Sequence, residues 1–513
     1  MSEPGILNII NFIRGYEPRD PRLDLVEPVA QQIALVQRHG LAGTWLIQYD
    51  ALQQSRFTEL LASELDERQE VGGWFEMNQP LVERAGLPWR GRFAWDWHAH
   101  VAFSIGYTPS ERERLADTFM QGFHAVWGRY PASVGSWLLD AHVMAYLAER
   151  YAVDAFCICK EQWGTDGYTV WGGYYNQAYY PSRRNMLMPA QTTQEQIGVP
   201  LFRMLGSDPI YQYDAASTAN GQTVVTLEPV YTHRGGGGDP AWVRWFLRTI
   251  YETPAVSFGY TQMGQENSFG WPAMRDGLND QIPLAAEMQR QGKLRVMTLG
   301  DAGRWFKHTY AHTPTSAITA LEDWRSQGRG SVWYCSQHYR INWLYEDHQL
   351  AVRDVQRFDE CYAERYLQEV CPTKDCTYDA LPLVDGLLWN ARVRFVSSQN
   401  GDASPLTGGV PSVEESGENL EMRWDSDRAG TLQMTLTPAG VNIRGQAEGW
   451  ELQMRWHAGS FAELQAVHER ALECLHEGFC YRLGLRRGRF QRIEECAISI
   501  LPENGIIEFD LMA

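Results

Sequence analysis

Six carboxylates stand where apolar runs stop: Glu17, Asp50, Glu76, Asp140, Asp208 and Glu266. If those runs are the parallel strands of a barrel, their ends share one rim and the six acids gather at one mouth. Two carboxylates facing a glycosidic bond are what glycoside hydrolysis needs. One protonates the leaving oxygen, and the other attacks the sugar or activates water. Asp140 and Glu266 are the expected catalytic pair. Asp140 also precedes a helical stretch and could serve as its N-cap. Asp50, Glu76 and Asp208 are expected to hold substrate hydroxyls.

The segment WDWHAH at 95–100 is the densest polar and aromatic cluster. Histidines at i and i+2 share a face only in an extended segment. Asp96, His98 and His100 are expected as substrate ligands gripping sugar between two indoles. The same three side chains suit zinc, so a divalent metal there is the alternative to a cofactor-free site. Trp137, Trp163 and Trp271 are the expected stacking platforms. His308 and His312 have i, i+4 spacing without the glutamate of a zincin. Four glycines at 235–238 lack the Walker spacing and its lysine, and no nucleophile elbow or dinucleotide fingerprint is present.

The elements that must position these residues alternate. Strand-like runs at 7–13, 43–48, 70–75, 133–139, 155–159, 200–205, 255–260 and 294–299 are interleaved with helical spacing at 26–38, 57–65, 109–127, 141–151, 241–251 and 277–291. That pattern predicts an α/β fold with an irregular (β/α)7-type barrel over 1–312. Residues 161–199 are too long for a simple connection and predict an insertion over the active site. From about 313 the texture becomes short alternating runs separated by turn residues. This predicts a mainly antiparallel, β-sandwich-like accessory domain over 313–513, interrupted by one helix at 461–475 and a mobile loop at 400–417.

Composition agrees with a carbohydrate enzyme. The 513 residues are 44% hydrophobic, enough for a large core, and at about 150 residues per domain allow a barrel plus an appendage. The balance of 45 basic against 63 acidic side chains argues against nucleic acid or an anionic membrane as partner. No run approaches the length of a transmembrane helix, and the first residues carry no leader pattern. Nine scattered cysteines without a Cys-x-x-Cys pair fit reduced thiols and a cytoplasmic protein, although Cys371 and Cys376 flank a turn and could pair. Twenty tryptophans, with 24 tyrosines and 19 phenylalanines, offer flat faces for the C–H surfaces of sugar rings.

The runs GTWLIQ at 43–48, EVGG at 70–73 and LRVMTL at 294–299 resemble strands of the glycoside hydrolase/polysaccharide deacetylase superfamily. The WDWHAH, GSWLLDAH and GQENSFGW segments are similar to bacterial polysaccharide-deacetylase-like proteins. The resemblance implies a seven-stranded irregular barrel over about the first 305 residues and a saccharide substrate. It departs from true deacetylases at the metal. Ile13 and Arg14 stand where that family has its paired aspartates, and Phe75 and Gln79 where it has two histidines. Trp137–Asp140 is similar to the nucleophile segment of glycoside hydrolase family 57, with Asp140 in the nucleophile's place. In that family's acid region Gly264 replaces the aspartate and leaves Glu266 as the carboxylate.

The function expected is hydrolysis of a glycoside by paired carboxylates. Metal-dependent deacetylation or amide hydrolysis, and a sugar-binding protein without catalysis, are the alternatives. The expected partner is a saccharide or glycoside, with self-association left open.

Overall fold

The structure is a computed structural model, and it describes residues 4–215, 226–232, 235–387, 390–399, 402–457 and 463–512. His233 and Arg234 of the glycine-rich loop lie outside the described residues, as do residues 461 and 462 at the start of the expected helix.

The first strand, β1 (Gly5–Ile13), is buried along its whole length, as its near-continuous apolar run requires. The chain continues through α1 (Val26–Arg38), β2 (Gly43–Gln48), β3 (Gln69–Trp74), α2 (Pro109–Trp127), β4 (Ser133–Gly135), α3 (Ala141–Arg150) and β5 (Ala155–Ile158). It then runs through β6 (Leu201–Arg203), α4 (Pro240–Tyr251), β7 (Tyr260–Met263), α5 (Trp271–Arg290), β8 (Leu294–Met297) and α6 (Leu299–Thr309). Sequence chemistry explains the helix ends. Thr108 and Glu111 form a capping box on α2, Pro109 takes the first turn, and Gly128 ends the helix at φ 67°.

These strands form the expected irregular barrel. Seven parallel strands lie in the order β7-β1-β2-β3-β4-β5-β6, and β8 lies beside the first half of β1. One edge of β1 is shared: residues 5–8 pair with β8 and residues 10–13 with β2. Between β6 and β7 a side chain replaces the ladder. Gln262 accepts from Leu205 N at 3.0 Å and donates to Ile10 O at 3.0 Å.

The antiparallel part holds two large sheets. One runs from Ser316–Ala320 through Gly330–Cys335, Tyr339–Glu346, Gln349–Arg357, Arg392–Gln399 and Trp450–Arg455 to Ala497–Leu501 and Arg489–Glu494. The other contains Ser412–Ser416, Asn419–Ser426, Gly430–Thr437, Gly440–Gly445, Ile506–Asp510, Phe479–Arg487, Ala471–His476 and Glu463–Val467. Phe395 of the first sheet packs against Trp343 and Trp450 of the same sheet and against Trp424 of the second. A small third sheet joins the two parts of the chain. The hairpin strands Gln162–Thr165 and Tyr168–Val170 are extended by Cys376–Tyr378, parallel to Tyr168–Val170.

Three local expectations need correction. The helix expected at 461–475 is instead the strands Glu463–Val467 and Ala471–His476. Its Glu, Leu and Ala favour helix locally, but Leu472, Cys474 and His476 alternate inward, and sheet pairing overrides propensity. The loop expected at 400–417 contains the strands Asp402–Pro405 and Ser412–Ser416. The strand expected at 255–260 begins only at Tyr260. Val256 before it adopts φ 67°, with its N–H and that of Ala255 both given to the Glu415 carboxylate.

Candidate active site

The barrel mouth is organised around Arg14, the first residue after β1. It is 2% exposed. Asn267 fixes its backbone, accepting from Arg14 N at 2.9 Å and donating to Arg14 O at 2.9 Å. The guanidinium lies over the Trp95 ring, 4.0 Å from its centroid. Its two ends reach different carboxylates. Nη2 is 3.3 Å from Glu76 Oε2, and Nη1 is 3.1 Å from Glu266 Oε2. Against the cost of burial, Glu266, Glu76 and Glu17 hold Arg14 charged, raising its pKa above the ordinary value.

Glu76 follows β3 by one residue beyond Phe75 and is fully buried. Burial pushes its carboxyl up to about 7. Arg14 pulls the other way, and the neighbouring Glu266 adds to the rise. Gln48, the last residue of β2, donates to Glu76 Oε2 at 3.3 Å. Glu76 Oε1 and Trp74 Nε1 make no hydrogen bond of good geometry among the described residues, although the Trp74 and Trp95 indoles both bear on the Glu76 carboxyl and lower its pKa. Such atoms in a mouth are the places a polar ligand satisfies.

Glu266 lies just beyond β7. Its Oε1 accepts from Ser268 Oγ at 2.6 Å, and its backbone N–H donates to Gln265 Oε1 at 2.9 Å. Asp50 accepts from Gly15 N at 3.1 Å and Ala51 N at 2.7 Å. Burial, opposed by these bonds and by Arg14, raises its pKa to about 6. Glu17 is also raised, chiefly by burial. The mouth therefore brings together Glu17, Asp50, Glu76 and Glu266 of the expected acids. Lys160, after β5, and Glu228 belong to the same electrostatic group.

Asp140 and Asp208 are engaged elsewhere. Asp140 is fully buried and caps α3, accepting from Val143 N at 3.1 Å. It also takes the Ser104 hydroxyl and the Arg112 guanidinium, the latter at 3.2 Å. Arg112 in turn donates to the backbone of Tyr366 and Glu369, so this cluster joins the barrel to the later part of the chain. Among the described residues Asp140 shares no hydrogen-bond partner with Glu266, and its oxygens are occupied. Asp208 accepts from the indoles of Trp242 and Trp324 at 3.0 and 2.7 Å and from Ile210 N and Tyr211 N, so its four bonds hold a loop.

The WDWHAH segment lies beside the mouth. Trp95 supports Arg14, whereas Asp96 is clamped by Arg92 at 2.7 and 2.9 Å. Burial opposes that ionisation, but the Arg92 bonds bring its pKa down to about 2. His98 and His100 are half-buried, their rings stacked 5.9 Å apart. Trp137 is half-buried and meets the buried Trp74 edge-on at 5.7 Å. Trp163 sits in the hairpin against Trp171, and Trp271 opens α5.

The donor set does not fit a divalent ion. Among the described residues no three His, Cys, Asp or Glu side chains are grouped to hold one. Asp96 is committed to Arg92, and the guanidinium of Arg14 already lies between Glu76 and Glu266. All nine cysteines are free thiols, Cys371 and Cys376 included.

Arg14, Trp95, Lys160 and Glu228 were missed as site residues in the sequence. The available signal was a charged side chain immediately after an apolar strand, which Arg14 and Lys160 both show.

No protein-family model and no curated protein sequence matches the chain. Solved structures do. A candidate glycoside hydrolase/deacetylase from Parabacteroides distasonis is 16% identical with TM-score 0.52, over 74% of this chain and 90% of that one. A candidate polysaccharide deacetylase from Mycobacterium smegmatis is 10% identical with TM-score 0.38, over 60% and 92%. A GH57-type branching enzyme from Pyrococcus horikoshii is 9% identical with TM-score 0.32, over 59% and 70%. The first likeness shows a shared fold, in agreement with the resemblance read from the sequence.

Proposed function

We propose that this chain is a glycoside hydrolase in which Glu76 is the general acid and Glu266 the nucleophile or general base. The observation that carries the reading is the single guanidinium of Arg14 bridging two buried carboxylates at strand ends. One of those carboxylates titrates near neutrality. The rigid fork of one guanidinium keeps the two groups within about 9 Å of each other, an upper limit compatible with the carboxylate pairs of glycosidases.

In this reading Glu76 Oε1 gives its proton to the glycosidic oxygen as the bond to the anomeric carbon breaks. Glu266, paired with Arg14 and held by Ser268, attacks that carbon or takes a proton from the attacking water. In either case water enters the product sugar and Glu76 is reprotonated at the end of the cycle. Arg14 fixes the separation and favours the Glu266 anion. Trp137 gives the mouth an aromatic wall for a sugar ring. The saccharide assignments of the structural neighbours support the same substrate class.

The test is a panel of aryl glycosides and oligosaccharides followed by NMR of the products. Cleavage of a glycoside that is lost in both Glu76→Gln and Glu266→Gln supports the proposal. Release of acetate from an N-acetyl or O-acetyl sugar with the glycosidic bond intact overturns it.

A further inference from the structure

The acid assigned to Glu76 touches an amide that three groups compete for. Gln48 ends β2 and is fully buried. Its Nε2 donates to Glu76 Oε2 at 3.3 Å. In that orientation its oxygen faces Asp50 Oδ1 and its nitrogen faces the Trp95 indole N–H, acceptor against acceptor and donor against donor. Half a turn of the amide reverses both contacts without moving another residue. The nitrogen then donates to Asp50 Oδ1 at 3.3 Å, and the oxygen accepts from Trp95 Nε1 at 3.3 Å. The turned oxygen also takes the nitrogen's place 3.3 Å from Glu76 Oε2. It is satisfied there only if Glu76 carries a proton on that oxygen.

No orientation suits all three neighbours, and the charge on Glu76 decides between them. A buried carboxylate facing a carbonyl oxygen costs more than an indole left without an acceptor. Asp50 can spare the amide, because Gly15 N and Ala51 N already donate to its Oδ1 at 3.1 and 2.7 Å. The nitrogen therefore belongs on the Glu76 anion, and the oxygen on the Glu76 acid. With the nitrogen on Glu76, Oε2 accepts from Gln48 and from Arg14 Nη2, both at 3.3 Å, which takes up its two lone pairs. A proton on Glu76 is then confined to Oε1. The other charged or titratable groups bearing on these two acids are Arg14, Glu266 and Tyr168.

We infer that Gln48 is a positioning residue for the acid, an amide whose turn moves the proton of Glu76 between its two oxygens. In the resting acid the amide oxygen holds the proton on Oε2, while Asp50 and Trp95 hold the amide. When the amide turns, its nitrogen takes Oε2 and the proton is carried on Oε1, the oxygen assigned to the glycosidic bond. One proton stays on the carboxyl throughout, and its O–H swings from the Oε2 position to the Oε1 position as the group turns about its C–C bond. After proton transfer the same nitrogen steadies the new anion beside Arg14. This rests on the reading of Glu76 as the acid and adds the group that aims its proton.

Neutron diffraction from perdeuterated crystals of the whole chain reads the amide orientation and the proton together. At about pH 5, below the Glu76 pKa of about 7, the expected map has the Gln48 oxygen toward Trp95 and a deuteron on Glu76 Oε2. At about pH 9 it has the nitrogen toward Glu76 and no deuteron there. One amide orientation at both values overturns the proposal. In solution, Trp95→Phe keeps a ring beside Arg14 and removes the N–H that holds the turned oxygen. The infrared C=O band of protonated Glu76, identified by its loss in Glu76→Gln, follows the titration of the free protein. With the amide left on Glu76 its midpoint should fall by about one pH unit. The lost indole acting alone would raise it, because the Trp95 N–H favours the anion. A raised or unchanged midpoint overturns the proposal. Neither measurement needs turnover. A turning amide in a protein that cleaves no glycoside sinks the hydrolase reading alone, and a fixed amide with Glu76-dependent cleavage sinks the inference alone.

Discussion

Arg14 lies with its guanidinium 4.0 Å from the centroid of the Trp95 ring. That contact fixes the plane of the fork, so Nη1 and Nη2 diverge toward Glu266 and Glu76 at the same time. A lysine has one charged point and cannot span both. Arg14→Lys is expected to lower kcat/KM about a hundredfold, with Michaelis–Menten kinetics as the readout. A loss under threefold would show that the bridge is dispensable.

The acid assigned to Glu76 sets the alkaline side of the pH profile. With a pKa of about 7 in the free enzyme, kcat/KM should fall about tenfold per pH unit above neutrality. Arg14 depresses that pKa, so Arg14→Met should move the limb to higher pH. A limb that stays in place in Arg14→Met would assign it to another group.

Glu76 should also cost stability when ionised. Its pKa in the fold is raised from 4.5 to about 7, so folding favours the protonated form. The associated stability is fully present below about pH 4.5 and is lost as pH rises through 7, a difference of about 3 kcal/mol. Glu76→Gln should therefore melt about 3 °C higher than the parent at pH 8 and at the same temperature at pH 4, by calorimetry. A lower melting temperature at pH 8 would mean that the Arg14 pair outweighs burial.

Asp140 and Glu266 should separate cleanly by phenotype. Asp140→Asn leaves Arg112 without its buried counter-charge and is expected to cost about 3–5 kcal/mol in unfolding, with kcat of the folded fraction within twofold. Glu266→Gln should remain folded and lose about 10²–10⁴ in kcat. An inactive but fully stable Asp140→Asn would return Asp140 to the chemistry.

The strand ends carried much of the site in plain view. Apolar runs at 7–13, 43–48 and 70–75 stop just before Arg14, Asp50 and Glu76, and in a parallel barrel that is sufficient to put the three side chains at one rim. What could not be read was which acids meet. Asp140 follows its apolar run at 133–139 just as Glu76 follows the run at 70–75, but its capping of α3 and its pairing with Arg112, 28 residues earlier, depend on packing that no local pattern records. Arg14 was visible only as a departure from a metal-binding pattern. Its role needs the loop carrying Trp95, which has no strand-end signature. The second half failed differently. In residues 471–476 helix-forming Glu, Leu and Ala occupy a strand whose alternation, Leu472, Cys474 and His476, spans only three inward positions.

The hairpin strand Tyr168–Val170 takes Cys376–Tyr378 as its parallel neighbour, and this sets an order of events at the ribosome. The hairpin must wait for roughly 200 further residues before its partner is synthesised, about 10–40 s at ordinary elongation rates. For the last part of that interval, once β8 (Leu294–Met297) has been made, the barrel strands are complete but the wall of the mouth beside Lys160 and Glu161 has no sheet to join. The nascent chain is thus an unsealed cup, and a strand made long after the barrel, Cys376–Tyr378, is what turns it into a vessel.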